Sequence, residues 1–303
     1  MEAPASAAWP VVLALCVLLA GCLDGGNGDG AGGGIPSSTG PTSSDGDLTT
    51  PAGPPPTTPV VFDLLPDFAF EGCRGVSVRS PQPIDRIQAL LPEGFTAAPY
   101  ASVAAPAPAP DGIGFAGMDL FVCGNLTTPN VRIPDVSFGM LYTHILPPDS
   151  RVAGVPEAAV HEYAFRLLAG EDVLAALWPA AGYDTYNGSV DLTMGPAVDL
   201  PVDVAPRTGS GAVGDDYLVL ATSAAPAAPM ASESTFARYT ALADGSVLVW
   251  TGTYHAEARS GQGSFMVADD DAFAGFEVAN NIAGSGGLLE SAEALDQDLR
   301  RYF

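Results

Sequence analysis

Thr235-Phe236-Ala237-Arg238-Tyr239-Thr240-Ala241-Leu242, then Ala243-Asp244-Gly245-Ser246, then Val247 through Arg259 carries the clearest fold signal in the chain. Asp-Gly between two runs rich in β-branched and aromatic residues marks a tight hairpin turn, because glycine accepts the positive φ such turns need. The second arm alternates. Leu248, Trp250, Gly252, Tyr254 and Ala256 share one face, and Val247, Val249, Thr251, Thr253, His255, Glu257 and Arg259 share the other, which is the two-residue period of a pleated strand. Further strands are expected on either side of this hairpin, at Gly75–Arg79, Phe115–Cys123, Val136–Leu146, Val160–Leu168, Tyr186–Met194 and Tyr217–Ala221. Helices are few. One is expected over Ile84–Leu91 behind Pro83, a short one over Val173–Pro179, and a third over Leu288–Phe303, where Leu289, Ala292, Leu295 and Leu299 recur at helical spacing and Arg300-Arg301 oppose the dipole. The fold class read from this pattern is α+β, mostly β: an antiparallel barrel or sandwich-like domain with two or three peripheral helices.

Toward the N-terminus, Leu19-Ala20-Gly21-Cys22 closes an uncharged run, Ala7–Gly21. A bilayer-spanning helix wants ~20 apolar residues, so this run suits a cleaved signal better than a permanent span. The four residues have the form of a lipobox, although the six residues before the run carry no Lys or Arg. The expected organisation is a lipoprotein signal peptide over 1–21, a Gly/Ser/Thr/Pro tether over 22–59 and a single globular β-rich domain over 60–303. A flexible tether of that length reaches roughly 30–35 Å. Lipidation of Cys22 would anchor the protein to the membrane and place the domain on its outer, extracytoplasmic face. An uncleaved anchor or an ordinary secretory signal would also put it outside the cytoplasm.

Thirty-five acidic residues stand against 11 basic ones, a net charge of −24, and every basic residue is arginine. Such a surface repels nucleic acid, so no nucleic-acid partner is expected. Of the four cysteines, Cys16 would leave with the signal and Cys22 would carry lipid, leaving Cys73 and Cys123. In an oxidising compartment that pair is expected to form a disulfide, worth about 4 kcal/mol in the chain-entropy model. Two cysteines alone do not make a metal site. No Gly-x-Ser-x-Gly, no His-Glu-x-x-His and no phosphate loop occurs, so neither metal nor cofactor is expected.

Several segments in order resemble a known superfamily. Cys73-Arg74-Gly75-Val76-Ser77-Val78 precedes Ile84–Leu91 and the turn Leu91-Pro92-Glu93-Gly94-Phe95. Asp119-Leu120-Phe121-Val122-Cys123 follows, then Ile133-Pro134-Asp135-Val136-Ser137-Phe138-Gly139 and Leu146-Pro147-Pro148-Asp149. This succession, within Cys73–Ala221, resembles distant secreted relatives of acetoacetate decarboxylase. The resemblance implies a barrel-like β domain around an enclosed apolar cavity. It does not carry the decarboxylase chemistry, which runs through a lysine Schiff base. This chain has no lysine, and arginine stays protonated. What the resemblance implies is a pocket without that reaction.

His144 shares a mainly apolar face with Met140, Tyr142 and Leu146, and His161 shares one with Tyr163, Phe165 and Leu167. Each is either a core histidine or a cavity-lining one. Glu162 and Arg166, four apart, fall on the face opposite His161 and could clamp a polar head group. His255 and Glu257 form a weak acid/base or metal pair, although an exposed polar strand face produces the same pattern. Asp269-Asp270-Asp271 is an acidic turn or a hard-cation site. The leading functional reading is a binding protein for a small apolar or weakly polar molecule in a β-walled cavity, with His144, His161, Arg166 and His255 as candidate polar contacts. The alternative is a lysine-independent enzyme that uses His255 and Glu257 on a carbonyl or lactone-like substrate. A third is an envelope interaction module with no ligand.

Overall fold

The computed structural model describes residues 61–100, 111–148, 158–170, 172–196, 206–223, 229–269, 271–276 and 286–303. The segments expected to be signal and tether, with Cys22, lie outside these residues. Strands β1 (Val61–Pro83), β2 (Ile113–Thr127), β3 (Arg132–His144) and β4 (Val160–Ala169) are followed by β5 (Thr185–Asn187), β6 (Val190–Pro196), β7 (Arg207–Val213) and β8 (Tyr217–Ser223). The hairpin β9 (Met230–Ala241) and β10 (Val247–Met266) comes next, and β11 (Gly286–Tyr302) ends the chain. Among the described residues two short helices interrupt them, α1 (Ile84–Gln88) and α2 (Leu174–Ala181).

Seven strands form a ring in the order β1-β2-β3-β4-β9-β10-β11, which closes because β11 pairs with β1 as well as with β10. Every pairing in it is antiparallel except β4 with β9. The long β10 serves two sheets. Residues Val247–Ala258 pair with β9, and Gly261–Met266 pair with β8, which continues through β7 to β6. The structure is therefore mostly strand with two peripheral helices, and the hairpin turns at Gly245, where φ is 86°.

Strand alternation sorts the side chains into two apolar layers. One fills part of the ring interior with Phe68, Phe70, Phe138, Phe236 and Trp250; the Phe70 and Phe138 rings lie 4.5 Å apart. Trp178 of α2 stacks on Trp250 at 5.4 Å. The other layer gathers Val76, Val78, Met118, Leu120 and Leu141 from the ring wall with Val219, Phe265 and Leu288. Here β7 comes so close that a Cβ at Gly211 would lie 2.3 Å from Leu120 Cδ2. Burial on both faces explains why β2 reads as a continuous apolar run. Cys73 and Cys123 stand directly opposite each other on β1 and β2 and are joined by a disulfide.

Two sequence expectations are corrected. Leu288–Phe303 is not a helix but the strand that closes the ring. Its pairing slips between Thr251/Thr253 and between Glu257/Ala258 of β10, and Asp296 takes a left-handed φ of 49°. Each slip inserts a residue and shifts the apolar positions by one, so a strand with bulges mimics helical spacing. The run Tyr186–Met194 is also not one strand. It breaks at Gly188-Ser189, and its first part pairs in parallel with β4 while its second pairs with β7.

Candidate active or binding site

Two rows of cross-strand neighbours build the site. In the first, Arg79, Gly117 and Tyr142 lie in register across β1, β2 and β3. The missing side chain at Gly117 lets Arg79 Nε donate to Tyr142 Oη at 3.4 Å across the intervening strand. A Cβ at Gly117 would come 2.6 Å from Tyr142 Cζ. The Tyr142 hydroxyl in turn donates to Asp119 Oδ1 at 3.2 Å. In the second row, His144, Glu162 and Arg238 are in register across β3, β4 and β9. Arg238 Nε donates to Glu162 Oε2 at 2.7 Å, while its guanidinium lies over Phe236 and Trp250, 4.3 and 4.9 Å from the ring centroids. His144 Nε2 lies 3.3 Å from the other Glu162 oxygen. Beyond that contact neither nitrogen of the buried imidazole has a hydrogen-bond partner among the described residues.

Arg79, Asp119, Glu162, Arg238 and Tyr254 all face a cavity of about 370 Å³, whose apolar wall is Phe121, Phe236, Leu289 and Met230 and whose remaining polar wall includes Ser77, Ser232 and Ser234. That volume falls within the range of small-molecule sites. Burial, with the Glu162 charge adding to it, pushes the Asp119 carboxyl up to about 6 despite its bond to Ser77. Burial acts in the same direction on Glu162, but the Arg238 cation and His144 outweigh it and hold this carboxyl down at about 2. Burial also depresses the basicity of His144 and keeps the Tyr142 and Tyr254 hydroxyls protonated. Two carboxylates in one cavity are thus driven in opposite directions. Among the described residues no carboxylate lies within ion-pair distance of Arg79, whereas Arg238 is neutralised by Glu162.

The residues singled out from sequence are not brought together. His144 is in the inner row, behind Glu162. His161 lies on the other face of β4, where Nδ1 meets Tyr239 Oη at 3.0 Å. His255 is an exposed cross-strand partner of Glu233, Nδ1 to Oε2 3.5 Å, and Glu257 is exposed beside it. The pairing of Glu162 with Arg166 on one face is corrected by a bulge in β4. The register slips between Leu141 and Tyr142, so Glu162 points inward and Arg166 outward. Arg166 binds Asp184, Tyr217 and Asp271, which ties Asp271 to the wall; Asp270 lies outside the described residues.

Solved structures similar to this chain include two of the enduracididine biosynthesis enzyme MppR. One is complexed with the condensation product of pyruvate and imidazole 4-carboxaldehyde (TM-score 0.50, 11% identity, covering 78% of this chain and 87% of the other). The second has HEPES buffer bound (TM-score 0.50, 11% identity, 79% and 87% covered). An acetoacetate decarboxylase-like enzyme from Sphingomonas wittichii RW1 also matches, with a TM-score of 0.44 at 14% identity over 77% of this chain and 92% of the other. At these identities the likeness is one of fold. No family model and no curated protein matches the chain.

Gly117→Ala tests the first row. The added methyl must displace Tyr142, and overpacking of this kind costs about 1–3 kcal/mol. The unfolding free energy from urea titration should fall by that amount, and Tyr142 should lose its contacts with Arg79 and Asp119 in a crystal structure of the variant.

Proposed function

We propose that this protein is a membrane-tethered extracytoplasmic binding protein that holds one small molecule, its apolar body against Phe121, Phe236 and Leu289 and its polar head at the Arg79 end of the cavity. One observation carries the reading: a cavity of about 370 Å³ with a largely apolar wall and an arginine that no carboxylate neutralises among the described residues. The Leu19-Ala20-Gly21-Cys22 sequence supports the anchor, and the Cys73–Cys123 disulfide fits an oxidising compartment. The fold shared with the enduracididine enzyme supports a ligand inside the ring. The absence of lysine removes imine formation as a route.

A second reading, a lysine-independent enzyme on a carbonyl substrate, is favoured by Asp119, whose carboxyl at about 6 sits in the same cavity and suits proton transfer. Native mass spectrometry of the full chain extracted from membranes tests the first reading. A lipid-modified Cys22 and a co-purifying species of small-molecule mass are expected. Ser234→Trp, which fills the cavity, should remove that species without lowering the unfolding midpoint. Retention of the species by this variant, or an unmodified Cys22, overturns the corresponding half of the proposal.

A further inference from the structure

We propose that Asn187 is a glycan attachment site and that the sugar it carries shields the open edge of β6. The inference rests on the export half of the reading above and is independent of the cavity. Two Asn-x-Ser/Thr triplets occur in the chain, Asn125-Leu126-Thr127 and Asn187-Gly188-Ser189. Such a triplet serves as an acceptor where it stands on the surface of an exported protein.

The fold separates the two. Asn125 is half-buried on β2, in a ladder paired on both sides, with Glu71 of β1 and Pro134 of β3 as its neighbours. The Thr127 hydroxyl, which a transferase would have to reach, is engaged. It lies 3.2 Å from Glu71 Oε1 and 3.5 Å from the Ala69 carbonyl oxygen. Asn187 is the last residue of the three-residue β5, which pairs with β4 alone among the described residues. A Cβ on Gly188 would lie 3.0 Å from the backbone nitrogen of Gly214, and that nitrogen donates to the Ser189 carbonyl at 2.9 Å. The middle residue of the triplet is thus held against the turn between β7 and β8. The two residues that a transferase reads, Asn187 and Ser189, are both exposed. The Asn187 amide donates to the Ala175 carbonyl at 3.5 Å, a contact long enough to give up at little cost.

The transfer balances with one co-reactant, an oligosaccharide joined through its anomeric carbon to a lipid phosphate or pyrophosphate. The Asn187 side-chain nitrogen forms a bond to that carbon. The carbon–oxygen bond to the phosphate breaks, its electron pair leaves on the lipid phosphate, and one amide proton is released.

The position gives the glycan a role. β6 begins at Val190, three residues further on and at most about 10 Å away along the chain. Among the described residues β6 pairs with β7 alone, so one row of its backbone groups is open to a foreign strand. A bulky hydrated group beside its first residue obstructs that approach.

Glycopeptide mass spectrometry of the full chain, extracted from the membranes of the cells that make it, reads both triplets and Cys22 in one digest. Added mass in whole sugar units on Asn187, and none on Asn125, is expected. Asn187→Gln and Ser189→Ala should each lose that mass completely, Ser189→Thr should keep it, and Asn125→Gln should leave it unchanged. Asn187→Gln should also aggregate faster than the wild-type protein at equal concentration, as followed by light scattering; equal rates overturn the shielding role. A bare Asn187 on a chain whose Cys22 is lipid-modified overturns the site and leaves the export reading standing. A bare Asn187 with an unmodified Cys22 removes both. Sugar on Asn125 instead, or sugar that survives Ser189→Ala, overturns the proposal as well.

Discussion

Replacing Glu162 by glutamine is expected to destabilise the protein by about 3–5 kcal/mol at pH 7, the usual cost of removing one partner from a buried ion pair. Arg238 would keep its charge and its contacts with Phe236 and Trp250 but lose its counter-ion, and His144 would lose the carboxylate beside it. The pH dependence gives a second readout. Glu162 is depressed from 4.5 to about 2 in the folded protein. A depressed carboxylate contributes stability that is present above its unfolded value and lost as pH falls toward the folded one. At ~1.4 kcal/mol per unit this is on the order of 3 kcal/mol, present above pH 5 and lost by pH 2. Urea unfolding of the wild-type protein should show that acid slope, and Glu162→Gln should flatten it. The variant should also shift Asp119, whose carboxyl the Glu162 charge helps to raise. An NMR titration of Asp119 that ends below the wild-type value would show the coupling. An unchanged value would deny it.

Asp119 itself contributes with the opposite sign. Its folded value is raised from 3.8 to about 6, so the folded state binds the proton more tightly and stability declines as pH climbs from 4 to 6. The two carboxyls of one cavity therefore press the stability curve from both sides.

Trp250→Ala is expected to cost about 3–5 kcal/mol, as large aromatic deletions in a core do. The indole touches Phe68, Phe70, Phe138, Trp178 and Phe236. It also donates to Gln297 Oε1 at 2.8 Å, and Gln297 is wholly buried. Truncation strips the Gln297 oxygen of that donor and removes one face of the Arg238 cation–π contact. Trp250→Phe, which keeps a ring and loses the N–H, should fall about 1–3 kcal/mol short of wild type. Equal losses for the two variants would mean that the indole N–H, not the packing, dominates.

The fold was legible where alternation is regular. The Asp244-Gly245 hairpin and the buried run of β2 follow directly from residue pattern, and the ordered segments around Cys73–Asp149 pointed to a barrel. What failed was periodicity at irregular pairing. In β11 two register slips made a strand look helical, and in β4 one slip separated Glu162 from Arg166. Bulges insert single residues, and the resulting shift of face depends on a partner strand far away in the chain.

The site was less legible, because the histidines on apolar strand faces are not the groups that line it. None of the three lines the cavity, and His144 lies behind Glu162. The better signal was a lone charge inside an apolar strand: Asp119 within Phe115–Cys123, Glu162 between His161 and Tyr163, and Arg238 between Ala237 and Tyr239. A charge in a doubly buried strand needs a partner or a ligand, and that requirement can be read without a structure. Which charges meet, however, depended on the parallel β4–β9 pairing, which joins positions 76 residues apart (238 − 162).

The ring is sealed by its own first and last strands, Val61 opposite Tyr302. During synthesis β1 must therefore wait with an unfilled edge until β11 has been made, since only then does its second neighbour exist. Without β11, both β1 and β10 are left with open edges available to any other extended peptide.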